Sequence, residues 1–130
     1  MLTIASATLP PDPTSVTAAR ELVAGVTGHL PRRAREAAEL VTSELATNCV
    51  LHAGTAFEVF AATDDTAFEV VLADGATWVP SRPGTAAGEP GSSGQGLLLV
   101  GLLASAWTAE LEGGGKRVWA RLLVDDVPTS

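Results

Sequence analysis

The sequence carries one cysteine and no tyrosine in 130 residues, and Lys116 is its sole lysine. A single Cys49 excludes an intrachain disulfide, and with it a secreted disulfide framework. Neither Cys49 nor His29 has partners at zinc-ligand spacing. Basic residues are scarce: eight Lys and Arg against fifteen Asp and Glu leave a net charge of −7. That balance argues against a broad electrostatic grip on nucleic acid or an anionic membrane. An anionic ligand would need a local site of backbone dipoles, a metal ion or a few placed cations. Long apolar runs are also missing. The most apolar stretch, residues 97–107, contains Gly101 and Ser105. It suits a buried core helix and is too short to span a bilayer. The first ten residues have neither the cationic start nor the apolar core of a signal peptide, so the expected location is cytoplasmic.

What is present suffices for a folded domain. The apolar fraction is 46%, enough to offset the entropy of ordering one core, and the length is that of one domain spanning 1–130. Residues 2–8 alternate weakly, as an edge strand would. Pro10, Pro11 and Pro13 end it, with Asp12, Thr14 or Ser15 available to cap a helix after it. Val16, Ala19, Val23, Val26 and Leu30 mark one face of this first helix. Pro31 suits the first turn of a second, which the pattern carries to His52 with Gly54 as its C-cap. Two strand-like runs, 56–63 and 67–73, flank an Asp64-Asp65 turn. A second hairpin is expected around Gly113-Gly114-Gly115. Between the hairpins, eleven of the seventeen residues of 80–96 are Pro, Gly or Ser, which rules out a regular element there. Helices grouped beside strands of this order predict an α+β fold, a two-layer sandwich with a largely antiparallel mixed sheet and the helices on one face.

Three local patterns carry chemistry. Glu44, Asn48 and His52 are spaced four apart, so they stack on one face of the second helix beside the apolar Val41, Leu45 and Cys49. A carboxylate and an amide oxygen held this way can ligate a hard cation such as Mg²⁺ and orient or deprotonate a nucleophile. Taken alone, the same stripe also reads as a solvated helix face. Gly94-Gln95-Gly96 feeds the apolar helix that starts at Leu97, where backbone N–H groups at a helix start form an anion site. The segment is neither a Walker A loop, since no Gly-Lys-Ser/Thr comes after it, nor a dinucleotide fingerprint, since Leu99 stands where its third glycine should be. Taken alone it is equally a flexible connector. Asp74-Gly75 closes the 67–73 strand, and a carboxylate there can accept from an amine such as the exocyclic amino group of a purine. Taken alone it is a turn.

In order and spacing these pieces resemble the GHKL superfamily of histidine-kinase-like ATP-binding domains, with a Bergerat-type fold. The likeness is greatest to the small stand-alone anti-sigma-factor serine/threonine kinases. Glu44-Leu45-Ala46-Thr47-Asn48 looks like the family's N box, Asp74-Gly75 like its adenine box, and Gly94 to Val100 like the glycine-rich box after an ATP lid, here 80–93. The resemblance implies ATP and Mg²⁺ as cofactors. Glu44 would be the catalytic base, or would orient the attacking hydroxyl, and Asn48 would ligate the metal. Asp74 and Gly75 would hold adenine; Gly94, Gly96 and Leu97 would hold the phosphates. It further implies a sigma factor and an anti-anti-sigma (STAS-type) protein as partners, and a homodimer, for which the edge at 2–8 is a contact surface. Two positions depart from the family pattern. Trp78 stands where a glycine is common, and Arg117 where a Thr often comes after the Lys and helps the adenine contact. They point to a second reading, the same fold kept as a regulatory binding module with weak ATP binding or none.

Overall fold

The computed structural model describes residues 1–76 and 94–127. In chain order these form β1 (Thr3–Leu9), α1 (Thr14–Thr27), α2 (Arg32–Asn48), β2 (Phe57–Thr63), β3 (Ala67–Asp74), α3 (Gly94–Leu103), β4 (Ala106–Glu112) and β5 (Gly115–Leu123). The five strands make one sheet in the order β1-β2-β3-β5-β4, and each of the four pairings is antiparallel. With the helices packed against one face, this is the α+β two-layer sandwich that the residue pattern predicts.

Strand alternation decides which face is covered. Phe57, Val59 and Ala61 of β2, Phe68, Val70 and Leu72 of β3, and Val118, Ala120 and Leu122 of β5 all point to the helices and are buried. The registers Val59↔Leu72↔Val118 and Ala61↔Val70↔Ala120 set them in rows across the sheet. Ala19, Val23 and Val26 of α1 and Ala34, Ala38, Val41 and Leu45 of α2 close the core from the other layer. The opposite face carries the row Phe60, Val71 and Trp119, with Glu69 and Arg121 beside it at 3.7 Å.

Local chemistry explains the helix boundaries. Pro13 occupies the N-cap of α1 with no side-chain cap, so the expected capping by Asp12, Thr14 or Ser15 does not occur. The Ser15 hydroxyl instead donates back to the Pro10 carbonyl at 2.7 Å, tying the helix to the end of β1. Pro31 is the N-cap of α2, one position before the first turn where the pattern put it. Within α2, Thr42, Ser43 and Thr47 donate to the carbonyls four residues earlier, which lets a helix of small polar residues pack inside. After Asn48 the helix widens into a π turn, Cys49–Ala53, before ending at Gly54.

The apolar run 97–107 divides differently from expectation. Its helix starts at Gly94 and stops at Leu103, and the rest enters β4, where Trp107 is buried. Nor is the helix wholly buried: Val100 faces the core while Leu98 and Leu102 are exposed. A helix at the rim of a two-layer sandwich buries one stripe only, however apolar the rest of its surface. The expected lid at 80–93, together with Trp78, lies outside the described residues.

Candidate functional site

The C-terminal end of α2 is where distant parts of the sequence meet. Asn48 is the last residue of α2 and is buried; Glu44, one turn earlier, is half-buried. The π turn beyond it re-aims the chain by one residue, a distortion common at functional sites. Thr55, just past that turn, accepts the Gly75 N–H on its hydroxyl oxygen at 2.8 Å, which fastens the end of α2 to the end of β3. Cys49 makes a second link, because its thiol lies against the Asp74 carboxylate. Burial first, and then that neighbouring carboxylate, push the thiol's pKa well above its usual range. The stripe on α2 and the carboxylate on β3, adjacent only in the fold, therefore share one region.

Asp74 is not a free acceptor there. Its Oδ1 receives the Ala76 N–H at 2.9 Å. Its Oδ2 faces Lys116 Nζ at 3.2 Å, an ion pair without hydrogen-bond alignment at that oxygen. Both side chains are essentially inaccessible, at 0% and 1% exposure. The two residues are direct partners in the β3–β5 register. Gly113 and Gly114 take positive φ values of 61° and 84° in the hairpin turn before β5. At the next position, a Cβ on Gly115 would collide with the Asp74 carbonyl oxygen. Only glycine permits so close a strand approach, and it is this approach that brings Lys116 onto Asp74.

Arg117 stands in the sequence where a Thr often comes after the Lys and helps the adenine contact. Arg117 lies on the other face of the sheet, exposed, with Nη1 at 3.5 Å from Glu112 Oε2. Strand alternation sends Lys116 inward instead. A single-residue register difference moves a side chain through the sheet, and the pairing of β3 with β5 across the 75–114 connection is not readable locally. Arg117 instead helps line a cleft of about 570 Å³ on that outer face, with Glu58, Phe60 and Val71. Asp74, Gly75, Gly115 and Lys116 line the same cleft at the β3–β5 end.

His52 lies in the π turn, and burial and then the Lys116 charge lower its pKa. Gly94, Gly96 and Leu97 fall in the first turn of α3, which packs against α2. Since the helix begins at Gly94 and not at Leu97, the N–H groups of residues 94–96 come before its first intrahelical bond. Backbone donors thus fall on both glycines that the pattern singled out.

The model of the histidine kinase-like ATPase domain matches residues 9–122. The chain belongs to this family. No curated protein matches it. Histidine kinase-like ATPase domains are generally nucleotide-binding, and the two halves of the site fit a nucleotide unequally. On the phosphate side, Asn48 offers one neutral oxygen and Glu44 a carboxylate one turn away. Among the described residues no group of three or more His, Cys, Asp and Glu side chains is arranged to hold a metal ion. Mg²⁺ needs only one or two protein oxygens, the rest of its shell being water and phosphate, so the Asn48 oxygen and the Glu44 carboxylate are of the kind it takes. On the base side, the Asp74 carboxylate is closed off by Lys116 and does not present itself to an amine. No helix of the described residues is long and apolar enough to cross a membrane.

Proposed function

We propose that this histidine kinase-like ATPase domain is an ATP- and Mg²⁺-dependent protein serine/threonine kinase of the anti-sigma-factor type. On this reading it works in the cytoplasm, binds a sigma factor and phosphorylates an anti-anti-sigma (STAS-type) antagonist. The observation that carries the proposal is the junction at the end of α2, where Cys49, the residue after Asn48, lies against Asp74, with Glu44 one turn before Asn48. Glu44 would orient the acceptor hydroxyl and take its proton. Asn48 would ligate the magnesium ion, and the first-turn N–H groups of α3 would hold the phosphates. Bound magnesium would neutralise charge on the transferring phosphoryl group. Phosphoryl transfer asks mainly for alignment and charge neutralisation, so this short set of groups is sufficient. β1 is an edge strand, which supports self-association through its free ladder.

A second reading is favoured by one specific observation. The buried Asp74–Lys116 pair occupies the carboxylate that a purine would use, as expected of a regulatory module that has kept the fold and weakened its ATP binding. Calorimetric titration with Mg-ATP, with subsequent transfer of labelled γ-phosphate to a STAS-type protein, separates the two. The kinase reading requires saturable binding and a labelled serine or threonine on the acceptor. Binding without transfer, or no binding at millimolar Mg-ATP, would replace it with the module.

A further inference from the structure

The carboxylate best placed to recognise a base is buried against the protein's own groups. Asp74 Oδ1 takes the Ala76 N–H, Oδ2 faces the Lys116 ammonium at 3.2 Å, and the Cys49 thiol lies against the same group. None of its side-chain surface is exposed. The cation is fixed by the fold, because Lys116 stands directly opposite Asp74 in the ladder and Gly115 allows the strands to close at that point. A purine amino group is a neutral donor. To reach Asp74 it would have to exchange a buried ionic contact for a weaker neutral one.

We propose that Lys116 is a specificity-determining residue that withholds Asp74 from the base, so that the site grips a nucleotide by its triphosphate and barely reads the 6-amino group. This rests on the reading of the α2–β3 junction as a nucleotide site. The 6-amino group contributes little while Lys116 is in place, and removal of the ammonium frees Asp74 to accept from it.

The test compares three ligands, each with Mg²⁺, by calorimetric titration: ATP, purine riboside 5′-triphosphate (which lacks the amino group) and inorganic tripolyphosphate. The proteins are the wild type and Lys116→Met. In the wild type, ATP should bind less than about tenfold more tightly than purine riboside triphosphate, and in Lys116→Met the preference should widen past about tenfold, the size of one hydrogen bond to a charged acceptor. A wild-type preference for ATP of about tenfold or more overturns the proposal, as does a ratio that Lys116→Met leaves unchanged. Should Lys116→Met fail to fold, the wild-type ratio still decides. Tripolyphosphate binding together with a large wild-type ATP preference sinks only the role of Lys116. Failure of all three ligands on both proteins sinks the nucleotide site as well.

Discussion

Asp74 and Lys116 face each other across β3 and β5 with 3.2 Å between carboxylate and ammonium, and neither side chain reaches solvent. An ion pair taken out of water regains little beyond its own desolvation cost, whereas a buried charge that loses its partner is strongly destabilising. Lys116→Met alone should therefore lower unfolding stability by about 3 kcal/mol, and the double change Asp74→Leu with Lys116→Met should recover most of that loss. Urea denaturation of the four proteins of the cycle measures it. A double variant no more stable than Lys116→Met would mean that the pair does not act as a unit.

Glu44 is half-buried one turn from Asn48 and outside the α3 first turn. A group that moves a proton but does not hold the ligand affects turnover and not binding. Glu44→Ala should keep its Mg-ATP affinity while phosphoryl transfer falls by roughly 10²–10⁴-fold. Titration calorimetry and single-turnover transfer supply the two numbers. Equal loss of both would assign Glu44 to binding.

Cys49 sits behind Asp74 in the interior, where burial and the neighbouring carboxylate keep it in the unreactive thiol form. Native protein should resist alkylation by iodoacetamide at neutral pH, and modification should rise steeply in denaturant. Rapid labelling under native conditions, read by mass spectrometry, would show that the α2–β3 junction opens.

His52 gives the fold a pH dependence whose sign is set by its environment. Burial and then Lys116 lower its pKa from the ordinary 6.5, so the folded chain holds it neutral. Unfolded chains take up a proton near 6.5 that the folded chain accepts only at lower pH. The contribution is fully present above that value and is lost as pH falls through 6.5 toward the folded pKa. Between about pH 7.5 and 5.5 the urea midpoint should fall in the wild type and fall less in His52→Gln. Parallel curves for the two proteins would remove His52 from the explanation.

Much of the layout was legible because it rests on local periodicity. Ala19, Val23 and Val26 marked the buried face of α1, Phe57, Val59 and Ala61 the buried face of β2, and Gly54 the end of the second helix. The fourfold spacing of Glu44, Asn48 and His52 placed them on one helix face, and Asp74 read as a strand end. Other features were not local. The apolar run after Leu97 gave no sign of how little of α3 would be covered, because exposure of Leu98 and Leu102 depends on what lies beside the helix. The π turn at Cys49–Ala53 arises where α2 must meet β3 through Thr55 and Gly75.

By itself, then, the amino-acid order determined the set of helices and hairpins, the absence of disulfide chemistry, and which glycines and polar residues could serve an anionic ligand. These come from backbone preferences and from side-chain periods of two and 3.6 residues, which act within a few positions of the chain. Only the tertiary structure decided that β5 pairs with β3 in the register that turns Lys116 inward and Arg117 outward. Register between strands so distant in sequence is set by burial of whole faces and by the close approach at Gly115, and a shift of one residue would have exchanged the two side chains.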